Sequence, residues 1–209
     1  MPRKFSIAEK VLEIARRSGV IRLRDLISHG IHPEYVRRLR NKGLLVRSGR
    51  GLYISADADV TENHTLAQAC KRVPHGVVCL LTALRFHNLG TQNPQQVWLA
   101  IDRKATLPKV DYPPIRFVRF SGPALKEGIN KKKVEGVDIR IYNPAKTVAD
   151  CFKYRNKIGL DVALEALREC WRERRCTMDQ LWFYAKICRV TNVMRPYLES
   201  LTFLQPQKE

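Results

Sequence analysis

An α+β fold is predicted by three features of the sequence. Helix-start and helix-stop signals alternate through Gly43, short β-prone runs meet at glycine-containing turns near 49–51 and 135–136, and four amphipathic segments follow Asn143. The chain has 209 residues, 44% of them hydrophobic, enough to bury an ordinary core. The polar stretch ADADVTENH at 56–64 divides the signals, so residues 1–58 are expected to form one domain and 59–209 a mixed α+β domain ending in a helical bundle.

Ser6 and Glu9 have capping-box spacing, and Ile7, Val11, Ile14, Ala15 and Ser18 recur at helical intervals until Gly19. After an extended piece at Val20 and Ile21, LRDLISHG predicts a brief second helix with Leu23, Leu26 and Ile27 inward and Gly30 as its stop. Pro33 suits the first turn of a third helix over 33–42, which Gly43 ends. LLVRS and GLYIS, separated by Gly49, Arg50 and Gly51, read as a hairpin with a basic tip. Three helices followed by a hairpin is the winged helix-turn-helix order.

The formal net charge is +18, which favours a polyanionic partner, nucleic acid above all. The first 60 residues hold 13 basic and 6 acidic side chains, so basicity extends well beyond the winged segment. At about 100° per residue, Tyr35, Val36 and Leu39 share one side of the third helix, with Arg37 and Asn41 opposite and Arg38 on the exposed flank. Such a face fits a major groove, Arg reading guanine and Asn adenine, while Arg47 and Arg50 on the wing approach phosphates or the minor groove. Arg40 is expected nearer the core boundary.

Beyond the linker, Thr61 or Asn63 is placed to cap a helix over LAQACKRV, and CLLTALRFHNLG predicts another stopped by Gly90, with His87 serving its terminal carbonyls. QVWLAI and IRFVRF read as strands, SGPALKEG as a helical turn or two, and KKKVEGVDIRIY as a hairpin turning at Glu135 and Gly136. Asn143 and Pro144 open the first closing helix, and Thr177 and Gln180 form a second capping box. Pro196 restricts or kinks the last helix. Trp98, Trp171 and Trp182 sit in apolar patterns and are expected in the core.

The winged segment ending in GLLVRSGRGLYIS, with TALRFHNL, VWLAI and VDIRIYNPAKTVADCF, resembles the AbiEi family of antitoxins from bacterial type IV toxin–antitoxin and phage-abortive systems. The order and spacing of these stretches carry the resemblance across nearly the whole chain. It implies a winged module that represses the protein's own operon and a C-terminal domain that counters a nucleotidyltransferase-like toxin, with or without a stable complex. Arg22 departs from the family, which more often has a small hydroxyl residue there to cap the second helix.

No catalytic residue is assigned. Asp102 follows the strand VWLAI, but IRFVRF supplies no second acid, and metal-assisted phosphoryl chemistry needs at least two oxygen ligands held together. His29, His32, His64, His75 and His87 are scattered, the six cysteines contain no C-x-x-C pair and read as reduced core thiols, and neither a P-loop nor a dinucleotide-binding glycine pattern occurs. No metal or cofactor is therefore expected. Asp150 is expected to pair with a nearby base. Lys131, Lys132 and Lys133 form either a solvated loop or a second nucleic-acid contact, with flanking DNA or with RNA bound by the toxin.

MPRKFSIAEK leads into no apolar signal segment and no run spans a membrane, so a cytoplasmic protein without a membrane partner is expected. The expected partners are operator DNA with an inverted repeat occupied by two copies, because one winged module reads few base pairs, and a nucleotidyltransferase-like toxin. The alternative is an interaction protein that binds a toxin or its RNA substrate, with the winged segment as docking module.

Overall fold

The computed structural model describes residues 6–58 and 61–203. The opening five residues, and Asp59 and Val60 at the expected boundary, lie outside the described residues. Contacts divide the chain into two compact units. The first comprises Met1–His75, Pro108–Ile115 and Lys131–Arg140; the second comprises Gly76–Leu107, Arg116–Asn130 and Ile141–Glu209. The first unit thus runs past the boundary expected after residue 58, because polar contacts described below bind a fourth helix and a hairpin tip to the wing.

Helix α1 (Ile7–Ser18) starts with the predicted capping box: Ser6 Oγ accepts from the Glu9 amide, and Glu9 Oε2 accepts from the Ser6 amide at 2.8 Å. Strand β1 (Ile21–Arg22) and helix α2 (Leu23–Ser28) follow. Arg22 is the N-cap of α2 but supplies no capping bond, since its guanidinium has no acceptor; its Nε pairs with Asp25 Oδ2 at 3.2 Å. Ile27, expected inward, is 49% exposed, and Leu26 fills the core position on this short helix. Helix α3 (Pro33–Asn41) leads to β2 (Leu45–Gly49) and β3 (Leu52–Ser55), which form a three-stranded sheet in the order β1-β3-β2. Val11, Ala15, Leu26, Val36, Leu39 and Leu45 make the core beneath it.

Helix α4 (His64–Arg72) has Asn63 as its N-cap without a side-chain bond; Thr61 Oγ1 accepts from the Asn63 amide instead. The remaining strands, β4 (Val77–Val78), β5 (Val97–Asp102), β6 (Ile115–Phe120), β7 (Ile129–Val134) and β8 (Val137–Tyr142), form a sheet in the order β6-β5-β4-β8-β7. The two-residue β4, unpredicted, stands at its centre, antiparallel to β5 through Val77–Ala100 and Val78–Leu99 and parallel to β8 through Val78–Ile141. Two residues give no alternation to detect, and only their partners on both sides make them a strand.

Between β4 and β5 lies α5 (Leu80–His87). It ends at Asn88, two residues before the expected Gly90: Asn88 is left-handed at φ 54°, and the Leu89 amide donates to Leu84 O. His87 Nε2 lies 2.7 Å from the Tyr142 carbonyl in β8. Helices α6 (Pro123–Lys126), α7 (Pro144–Lys153), the unpredicted single turn α8 (Arg155–Ile158), α9 (Leu160–Arg172), α10 (Met178–Cys188) and α11 (Thr191–Phe203) complete the chain. Asn143 caps α7, Thr177 and Gln180 form the predicted box on α10, and α11 continues through Pro196. Both Pro196 and Asn192, whose carbonyl lacks its helical donor, are exposed to water. Trp98 is buried, Trp171 and Trp182 pack against the core, and all six cysteines are buried and free.

Glu135 and Gly136 form the tip between β7 and β8 with φ 45° and 75°, the two positive values a type I′ hairpin turn requires. A Cβ on Gly136 would lie 2.6 Å from the Ser18 carbonyl carbon and 2.7 Å from Arg17 O. Gly136→Ala is therefore expected to destabilise the first unit by about 2 kcal/mol or more, whereas Gly51→Ala should lose only the left-handed cost of about 1–2 kcal/mol. Gly51 also has a positive φ, but the space around it is open. Thermal unfolding of the two variants side by side checks the difference.

Candidate nucleic-acid interface

The start of α3 is fixed locally: His32 is extended, its Nδ1 accepts from the Glu34 amide at 3.3 Å, and Pro33 presets the first helical φ. Its end is fixed by Gly43 at φ 70°, with the Gly43 amide donating to Arg40 O and the Leu44 amide to Leu39 O. Between these ends Val36 and Leu39 are buried and Tyr35 packs on the same core. Arg37, Arg38, Arg40 and Asn41 are all exposed. Arg40, expected at the core boundary, points outward, because Val36 and Leu39 fill the inward stripe of this short helix.

Glu34 restrains the two leading arginines. Arg37 Nε and Nη2 donate to its carboxylate at 2.8 and 3.0 Å, and Arg38 Nε donates at 3.3 Å. The Arg37 hydrogen bond first, with charge from Arg37 and Arg38 behind it, holds the Glu34 carboxyl below its ordinary range. Both arginine side chains are about two-thirds exposed (67% and 68%), so water screens these pairs and a phosphate or guanine edge can displace the carboxylate.

On the wing, Arg47 Nε donates to Gly49 O at 3.3 Å, and Arg50 Nη1 lies 3.4 Å from Asp111 Oδ2 with both side chains largely exposed. Arg72, unremarked in the sequence, donates from Nη2 to the Arg50 carbonyl at 2.8 Å and so anchors the wing tip. Lys131, Lys132 and Lys133 are exposed but lie in β7, not in a loop. β7 is the last strand of its sheet, where a lysine run discourages edge-to-edge pairing. They also belong to the same compact unit as the wing.

A cluster that no sequence spacing indicated joins β2, α4 and the β7–β8 turn. His64 Nε2 is 3.0 Å from Ser48 Oγ, and His64 Nδ1 is 2.6 Å from Glu135 Oε2. Glu135 Oε1 also accepts from the amide and hydroxyl of Thr61, each at 2.7 Å. Nucleophile, base and acid stand in hydrolase order, yet the buried Gln68 amide bonds Ser48 Oγ and lies 2.8 Å from His64 Nε2. Gln68 Nε2 further donates to Ser48 O at 3.0 Å, tying α4 to β2. The cluster is a clasp on the wing.

Burial raises the Glu135 carboxyl, but the bonds from His64 and Thr61 outweigh it and leave its pKa below the ordinary 4.5. A carboxyl depressed on folding contributes fully above its unfolded pKa, and that contribution disappears as pH falls through the folded value. Wild-type protein should thus melt above Glu135→Gln at pH 7, and the gap in Tm should close as the pH drops below 4.5. Melting curves of both proteins across that range check the expectation.

Asp102 Oδ1 accepts from the Lys104 amide at 2.8 Å and serves its loop. Among the described residues no group of three or more His, Cys, Asp or Glu side chains could hold a metal ion, and no helix is long and apolar enough to cross a membrane. Asp150 pairs with a base as expected: Lys146 Nζ lies 2.6 Å from both its oxygens, deep in the second unit's core.

A three-helix module whose exposed arginine face stands on a packed core, followed by a basic hairpin, defines a winged helix-turn-helix fold. Residues 9–56 match the family described as "Transcriptional regulator, AbiEi antitoxin". This bears out, over those residues, the resemblance drawn from the sequence. The fold is also similar to that of the crystal structure of the RV2827C protein from Mycobacterium tuberculosis, with TM-score 0.57 and 15% identity, covering 88% of this chain and 72% of that one. At that identity the likeness is one of fold alone. No curated protein matches the chain.

Proposed function

We propose that the protein is a sequence-specific DNA-binding antitoxin that represses its own toxin–antitoxin operon and counteracts a nucleotidyltransferase-like toxin in a type IV, phage-defence setting. The observation that carries this reading is the outward face of α3, where Arg37, Arg38 and Asn41 stand exposed opposite the buried Val36 and Leu39. Arg37 and Asn41 read base edges in the major groove; Arg38 supports them, and Arg47 and Arg50 bind phosphates beside it. Lys131, Lys132 and Lys133, in the same unit, add a secondary contact to flanking DNA. Two copies occupy an inverted repeat.

The test is a gel-shift titration against the DNA upstream of the gene, with shuffled competitor, at low and near-physiological salt. Specific binding survives both challenges. Replacing Arg47 or Arg50 lowers affinity for every sequence and flattens the salt dependence by about one unit of logarithmic slope per lost phosphate contact. A shift abolished by shuffled competitor would overturn the reading and leave a protein whose charge gives only general attraction to nucleic acid.

A further inference from the structure

Within the second unit, the turn after β6 and the ends of α7 and α10 border a cleft of about 260 Å³. Three exposed cations line it, Arg119, Lys153 and Arg189. Among the described residues none of them makes an ion pair. Arg119 is held in place, its Nη1 donating to Arg103 O at 2.6 Å and Ala105 O at 2.9 Å. Arg189 sits at φ 58°, the left-handed residue that ends α10.

A bland explanation exists for two of the three, since Lys153 and Arg189 stand at helix C-terminal ends, where a cation offsets the helix dipole. Magnitudes decide against it as the whole account. Each helix end carries about −0.5 of a charge, so two ends offset roughly one of three cations and leave about +2. The acid beside the cleft, Asp150, is already matched by Lys146. Tyr154, on the same wall, stays a neutral hydroxyl, because burial foremost, with Cys79, Asp150 and Cys188 behind it, pushes its pKa up to about 12.

The geometry points to a phosphate-monoester site, filled by inorganic phosphate or by the phosphate end of a mononucleotide. A dianion matches the excess of charge, whereas a carboxylate would neutralise half of it, and arginine's fork suits phosphate oxygens. The site lies in a different unit from the winged face and does not depend on DNA recognition.

Calorimetric titration of the full-length protein tests it at fixed chloride ionic strength, with inorganic phosphate, a nucleoside 5′-monophosphate and the bare nucleoside as separate probes. Phosphate-bearing probes should bind saturably and the nucleoside should not; tighter binding of the monophosphate assigns the mononucleotide, and equal binding assigns free phosphate. Lys153→Gln with Arg189→Gly should weaken binding about tenfold or more per lost charge-assisted contact. Gly accepts the left-handed conformation of residue 189, and the single exposed change Lys153→Gln serves as second variant should the pair fail to fold. Arg37→Ala with Asn41→Ala should bind phosphate as the wild type does. Absence of saturable binding, unchanged affinity in the cleft variants, equal binding of the nucleoside, or loss of binding in the α3 variant would each overturn the assignment.

Discussion

Arg37→Ala combined with Asn41→Ala is expected to lower operator affinity about a hundredfold or more, as the loss of two bidentate base contacts predicts, while binding to shuffled DNA changes far less. Both side chains leave α3 on the side opposite the buried Val36 and Leu39, so their removal leaves the core packing of the helix unchanged. Glu34 provides an internal check. Its carboxylate holds Arg37 through two hydrogen bonds, and Glu34→Gln should strengthen binding to every sequence by removing a competing anion and freeing both arginines. Competition gel shifts with operator and shuffled duplexes separate the two effects. Unchanged operator preference in the double variant would remove α3 as the reading helix.

Lys146→Met is expected to cost about 3–5 kcal/mol, roughly 10 °C in Tm, because it leaves Asp150 as an unpaired buried charge. The two side chains are essentially inaccessible, at 0% and 2% exposure, and the ammonium also lies over the Tyr142 ring at 4.2 Å. Burial already drives the Asp150 carboxyl above its ordinary range against the opposing pull of Lys146 and the Cys188 thiol. The pair therefore gains little net stability over an apolar pair. Joint replacement, Lys146→Met with Asp150→Leu, should stay within about 2 kcal/mol of wild type, by the usual balance between desolvation and attraction in buried pairs. Denaturant unfolding of the two single variants and the double variant closes the cycle; additive losses in the double variant would show that each side chain acts through packing alone.

Most of the winged module was legible in the sequence because its signals are local. Ser6 with Glu9, Pro33 with Gly43, and the glycines around Arg50 each act over a few residues, and the apolar positions of α3 followed from helical geometry. Local signals misled where a neighbouring residue could do the same task. Asn88 ended α5 before Gly90, and Leu26 sufficed for the core of α2, leaving Ile27 exposed. Lys131, Lys132 and Lys133 read as a loop because charge alone argued for solvent, whereas the place of β7 at the sheet edge exposes them within a strand.

By itself the sequence determined the helix and hairpin order of the winged module, the basic outward face of α3 and the likeness to AbiEi antitoxins. Tertiary structure alone decided that Val77 and Val78 stand at the centre of a sheet, that His64 joins Ser48 and Glu135, and that Arg119, Lys153 and Arg189 border one cleft. The physical reason is range. Caps and turns are settled within three or four residues by the chain's own geometry, whereas His64 reaches across 71 residues to Glu135, and only the packed core sets that separation.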